Sequence, residues 1–157
     1  MRLELTRRGD YAIRAVIALG RAEPDAVVSA PRLAALTGIP PRFVAQVMAE
    51  IVRAGIAEAR VGRSGGYRLV RDAATITLLE VVEAVEGDPR RRVCVLRDAP
   101  CLRDGACDVH AVFAAAQDAL LAELGQATIA DLASGRAPGG GAMTAVAPAA
   151  IRQPELR

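Results

Sequence analysis

The 157-residue chain has no lysine, one histidine, three cysteines and only 3% aromatic residues. It contains no uncharged apolar run near the roughly 18 to 20 residues that a membrane span requires. Its start, Met1-Arg2-Leu3-Glu4-Leu5-Thr6-Arg7-Arg8, has none of the apolar stretch that follows the basic residues of an export signal. At 52% hydrophobic and 24% charged residues, the composition is that of a globular protein, and the expected location is cytoplasmic. There is no Gly-rich nucleotide loop and no internal repeat, and the lone histidine sits among the cysteines. No nucleophile, base and orienting group can be assembled, so the chain reads as a non-enzyme. An odd number of cysteines, all between Cys94 and Cys107, is not a disulfide framework. Metal or redox chemistry is the leading question they raise.

All positive side chains apart from the histidine are arginine, and they are unevenly spread. Residues 1–71 carry 12 Arg against 6 acids, whereas residues 72–157 carry 8 Arg against 12 acids. The front half is built to meet an anion, and nucleic acid is the commonest large one.

Apolar residues Ala12, Ile13, Val16, Ile17 and Leu19 recur at helical spacing between Thr6, a candidate N-cap, and Gly20. Ser29 can cap a short second helix over Ala30 to Thr37, and Gly38-Ile39-Pro40 breaks it. A third helix is predicted from Pro41 to Ala54, with Val44, Val47, Met48 and Ile51 as its core stripe and Gly55 as its stop. Two short helices joined by a Gly-containing turn are the helix-turn-helix signature. Ile56 to Val61 then reads as a strand, Gly62-Arg63-Ser64-Gly65-Gly66 as a tight basic turn and Tyr67 to Val70 as a returning strand. The fold class is therefore mainly α with a small β-hairpin wing (α+β), a winged helix-turn-helix.

After a connector over Asp72 to Ile76, Thr77-Leu78-Leu79-Glu80 is a capping box for a helix to Glu86. A long helix is predicted over Asp108 to Leu124, ending at Gly125. Its apolar stripe is wide enough to serve a partner helix, so it is expected to make a homodimer. Thr128-Ile129-Ala130-Asp131 opens a last short helix. The expected division is a DNA-binding domain over 1–73, dimerisation helices with a cysteine loop (90–110) over 74–134, and a Gly-Ala-Pro-rich disordered tail over 135–157.

The cysteine segment reads C-x(6)-C-x(5)-C-x(2)-H, from Cys94 through Cys101 and Cys107 to His110. Three thiolates and an imidazole make a four-ligand soft-metal set, and Cys107 and His110, three apart at a helix start, can face the same side. Arg90, Arg91, Arg92 and Arg97 favour thiolates and offset the charge of a thiolate-bound cluster. Structural zinc usually takes closely spaced pairs of ligands, whereas gaps of six and five suit a larger two-metal cluster. Zinc binding or a cluster-free thiol switch is the alternative.

The run Leu5-Thr6-Arg7-Arg8-Gly9-Asp10-Tyr11-Ala12-Ile13-Arg14-Ala15, the wing closing in Gly65-Gly66-Tyr67-Arg68-Leu69, the three-cysteine loop and Thr128-Ile129-Ala130-Asp131-Leu132 together resemble the Rrf-two family of bacterial transcription regulators, with its IscR- and NsrR-like members, over residues 1 to about 134. The resemblance implies a homodimer that binds a dyad-symmetric double-stranded DNA site, most simply as a repressor. A 2Fe-2S iron-sulphur cluster would control it by sensing redox state, nitric oxide or iron-sulphur status. It implies Cys94, Cys101 and Cys107 as ligands with His110 as an IscR-type fourth, and Asp10 as the competing NsrR-like fourth ligand.

In the third helix Arg42, Phe43 and Gln46 match positions that face DNA. Arg42 could present two donors to guanine, Gln46 could pair with adenine and Phe43 could meet a thymine methyl. The family's wing arginine is Val61 here, so minor-groove contact would pass to Arg60 or Arg63. Arg7, Arg8 and Ser29, at helix starts, are phosphate-contact candidates.

Overall fold

The computed structural model describes residues 5–87 and 108–136. Six α-helices, a two-stranded hairpin and one 3-10 turn are present among them. Helix α1 (Arg7–Gly20) starts where Thr6, in extended conformation, accepts the Gly9 N–H on its hydroxyl, and α2 (Ala30–Thr37) starts at Ser29 by the same device. Gly38 leaves α2 in the left-handed region at φ +69°, where a residue with a Cβ is strained. Helix α3 (Pro41–Arg53) has no side-chain cap; Pro41 occupies the first turn, where its missing N–H costs nothing. The core stripe expected for α3, Val44, Val47, Met48 and Ile51, is buried.

Strands β1 (Ala57–Arg60) and β2 (Gly66–Leu69) pair antiparallel, with Ala57 opposite Leu69 and Arg60 opposite Gly66. Strand β1 is shorter than the expected Ile56 to Val61, and β2 is as long as expected but starts one residue earlier, at Gly66, while the Val70 N–H still donates to the Ile56 carbonyl at 3.2 Å. Val28 exchanges two 2.9 Å backbone hydrogen bonds with Tyr67, adding a single bridge on the far side of β2. Gly66 makes that approach possible, because a Cβ there would lie 2.3 Å from the Val28 carbonyl oxygen.

The connector before the next helix contains a 3-10 turn, Ala73–Thr75, capped by Asp72. Helix α4 (Leu78–Glu86) carries both halves of the Thr77–Glu80 capping box. Helix α5 (Asp108–Gln126) runs past the glycine expected to end it: Gly125 stays helical, and the chain turns only at Ala127, whose carbonyl accepts the Leu78 N–H at 2.8 Å. Helix α6 (Ile129–Ala133) follows, capped by Thr128. Gly20 likewise is not a left-handed stop. A Cβ at that position would meet Ile129 at 2.8 Å, so the glycine is where α6 settles onto α1.

One hydrophobic cluster joins these parts, with Ala12, Val16, Leu33, Met48 and Ile51 of the helix-turn-helix packed together with Ile76, Val81, Val85 and Ile129. No polar or charged residue is buried among the described residues. No helix among them is long and apolar enough to cross a membrane. The Gly-Ala-Pro-rich stretch from residue 137 onward lies outside the described residues.

Candidate DNA-binding face and metal centre

Burying Val44, Val47, Met48 and Ile51 leaves the opposite face of α3 in solvent: Arg42, Ala45, Gln46, Ala49 and Arg53 are exposed. The two arginines stand eleven positions apart, about 16 Å along the axis. Between them the alanines present little bulk, and the face has no acid, because Glu50 turns toward α1 and pairs with Arg8. Arg53 was not singled out in the sequence, although its place in the series 42, 46, 49, 53 follows directly from helical spacing.

Phe43 is half-buried against the core, with its ring 5.9 Å from that of Tyr11. The Arg42 guanidinium lies over Phe43 at 4.8 Å, so this aromatic serves as the seat on which Arg42 rests. Gln46 projects freely. Arg7 is exposed, and Ser29 is occupied in accepting the Arg32 N–H at 3.3 Å, with its hydroxyl proton left to donate. Arg8 behaves differently from the expectation that it faces a phosphate. Its guanidinium is directed within the protomer, donating to Glu50 Oε1 at 3.2 Å and to the Val85 carbonyl at 2.7 Å.

In the wing, Glu58 accepts from Arg68 at 2.7 Å and from Arg60 at 3.2 Å. The Arg68 bond first, and then that of Arg60, holds its carboxyl below the usual carboxylate range. The same bond to Glu58 raises the pKa of Arg68, which also pairs with Asp25. Arg60 is therefore partly neutralised, whereas Arg63 at the tip has no acidic partner among the described residues. Beside it Val61 is fully exposed and Gly62 takes φ +125°.

Cys94, Cys101 and Cys107 lie outside the described residues, so their arrangement carries no geometry here. His110 lies in the first turn of α5 by its backbone. Asp10, in the first turn of α1, is half exposed and pairs with Arg14, which binds both carboxylate oxygens. That bond to Asp10, chiefly, raises the Arg14 pKa. Arg14 also donates to the carbonyl of Thr37, the last residue of α2, at 3.2 Å.

A helix-turn-helix with an acid-free exposed α3 face and a basic hairpin beside it defines a winged-helix DNA-binding protein. The comparisons give the family. Residues 5–135 match the family model of Rrf2, the iron-dependent transcriptional regulators. The chain is 30% identical over 131 residues to the repressor NsrR of Streptomyces coelicolor, covering 83% of this chain and 88% of that one. Among solved structures, it superposes on CymR, the global cysteine regulator of B. subtilis, with a TM-score of 0.73 at 24% identity, covering 85% of this chain and 98% of that one. On T. potens IscR the TM-score is 0.69 at 21% identity, covering 84% and 87%. The chain belongs to the Rrf2 family, and it is a transcriptional regulator of helix-turn-helix type, not an enzyme.

Proposed function

We propose that this regulator acts as a homodimer on a dyad-symmetric DNA site and that a 2Fe-2S cluster held by Cys94, Cys101, Cys107 and His110 sets its affinity. The single observation that carries the DNA reading is the acid-free exposed face of α3. Its small residues, Ala45 and Ala49, let the helix sink into a major groove while Arg42 and Gln46 meet base edges. Arg53 reaches the phosphates at the far rim, and Arg7 and the Ser29 hydroxyl are placed at helix starts for phosphates on the near side. Phe43 orients Arg42, and Arg63 is the wing's free cation for the neighbouring minor groove. Arg60, shared with Glu58, is a weaker candidate, and Arg8 is left out because Glu50 and the Val85 carbonyl hold its guanidinium within the protomer.

The metal reading rests on the chemistry of the donor set. The three thiols and one imidazole are the only such groups in the chain, and they stand within 17 residues. That set fits a two-iron cluster with one nitrogen ligand, and replacing a thiolate by imidazole raises the potential of such a centre. When bound, the cluster supplies a redox-active and gas-reactive group. Asp10 is the alternative fourth ligand; to serve, it must give up Arg14. The two-fold dimer is assigned to α5, in which no side chain from residue 111 to residue 126 is buried within the protomer.

The deciding experiment is purification without oxygen, followed by iron, sulphide and zinc assays, a visible spectrum and DNA retardation with loaded and cleared protein. Two irons and two sulphides per chain with visible colour are expected, and Cys101→Ala is expected to be colourless. Colourless wild-type protein carrying one zinc, or none and a reversible thiol response, replaces the cluster with the zinc or thiol-switch reading. His110→Ala is expected to shift the spectrum more than Asp10→Ala; the reverse ranking assigns the fourth position to Asp10.

A further inference from the structure

We propose that Arg8 is a positioning residue that couples the C-terminal end of α4, from which the chain leads into its cysteine segment, to the DNA-reading helix α3. The inference deepens the cluster-controlled reading above and rests on it for its biological sense, though not for its geometry.

Three contacts fasten the end of α4 to the first turn of α1. The Thr6 backbone N–H and hydroxyl both donate to Glu86 Oε1, at 3.1 and 2.5 Å, so the last residue of α4 places its carboxylate at the positive end of α1. Arg8 Nη2 donates to Val85 O at 2.7 Å, a carbonyl that lies in the final turn of α4, where the helix itself supplies no N–H. Gly9 leaves room for the Glu86 carboxylate, since a Cβ there would lie 2.4 Å from Oε1, at the far end of that flexible side chain. One residue beyond Glu86, Gly87 turns out of the helix at φ +86°.

Arg8 then does what neither Thr6 nor Glu86 can. Its other nitrogen, Nη1, holds Glu50 Oε1 of α3 at 3.2 Å. Glu50 Oε2 is buried with no hydrogen-bond partner, so among the described residues Arg8 is the cation that compensates this carboxylate. Glu50 shares α3 with Gln46 and Arg53, respectively four residues before and three after it. A shift of the α4 end therefore moves Val85 O, and the rigid, planar guanidinium carries that movement to Glu50 and the reading helix. A lysine could hold one of these partners as a point charge, but not both in a fixed fork.

The test is a double-mutant cycle on the full chain, first in metal-free protein, with amide hydrogen exchange over residues 41–53 as the readout. Glu86→Ala removes the acceptor of both Thr6 bonds and loosens the α4 end. With Arg8 present it is expected to speed exchange across α3 by about three- to tenfold, and in Arg8→Met the same change is expected to leave α3 unaltered. Because Arg8→Met strands Glu50, the cycle is repeated in Glu50→Leu, which removes the acceptor, cuts the link from the α3 side and must give the same result. Equal acceleration in all backgrounds, or none in any, overturns the proposal.

The second arm measures the ratio of operator affinities for loaded and cleared protein. Arg8→Met is expected to bring that ratio toward one while iron per chain stays unchanged, and Arg8→Lys to restore it only in part. A variant that responds to the cluster as fully as wild type reduces Arg8 to a structural tie and overturns the proposal. Wild-type protein that binds no iron defeats the cluster reading instead, and the exchange cycle still decides the role of Arg8.

Discussion

Helices α3 and α5 both carry regularly placed apolar residues, and they put them to opposite ends. In α3 the stripe closes within the protomer, with Val44 and Val47 at 1% and 2% exposure and Met48 and Ile51 at 0%. In α5 no side chain between residues 111 and 126 is buried, Val112 stands 68% exposed and Leu120 37%. Alanines at 111, 114, 115, 116, 119 and 122 account for the difference in origin, because they favour the helix without needing a core to hold it. Helix α3 is closed into the core, whereas α5 packs on α4 and leaves much of its surface exposed. The protomer thus has a finished head and an open flank, and a pattern of apolar residues alone does not say which is which.

Substitutions on each side can break or sharpen that contrast. The largest effect belongs in the head: Ile51→Ala is expected to cost about 2–5 kcal/mol in chemical denaturation, independent of protein concentration, because it opens a cavity in a closed core. On the flank, Leu120→Glu is expected to weaken self-association at least about 30-fold by sedimentation while the head keeps its own denaturation profile. A well-folded, undiminished dimer would place the interface elsewhere and remove α5 from the comparison.

On the exposed face of α3, Arg42→Ala is expected to lose about 1–3 kcal/mol on the cognate duplex and little on a scrambled one. Arg63→Ala should weaken both duplexes alike and reduce the salt slope by about one. Equal losses for Arg42→Ala would make it a phosphate contact and leave base reading to Gln46.

The smallest effect concerns acid. Burial would raise the Glu80 pKa, but the Thr77 N–H and Arg71 outweigh it and hold the carboxyl below its ordinary value. A lowered folded pKa means that the contribution is present above about pH 4.3 and is lost as the pH falls through the folded value. Glu80→Gln is expected to flatten the acid side of the melting profile in that window. A profile unchanged by the substitution would remove the capping box as a source of acid sensitivity.

Local features were legible in the sequence, and distant ones were not. Thr6, Ser29 and Thr77 could be assigned as caps because each hydroxyl meets an N–H only three residues on, and Gly38 and Gly55 as stops because a positive φ is a property of the residue itself. Gly20 and Gly125 look the same in sequence, yet one is shaped by Ile129 and the other continues its helix. Arg8 follows the same rule on a larger scale. Its position at a helix start suggested phosphate, but its partners stand 42 and 77 residues away in the chain, where no periodicity points. Phe43 was legible as part of α3 but not as the support for Arg42, because its ring is also held by Tyr11, 32 residues away in the chain.

The link between α2 and α3 has a mechanical consequence. Gly38 is fixed at φ +69°, Ile39 is buried at 2% exposure, and Pro40 and Pro41 each lock one torsion in succession. Few soft rotations remain in this elbow, so the angle between the two helices cannot serve as an adjustable joint. Movement delivered to α3 through Glu50 must then carry α2 with it, so that the two helices shift as one piece and their mutual angle is conserved.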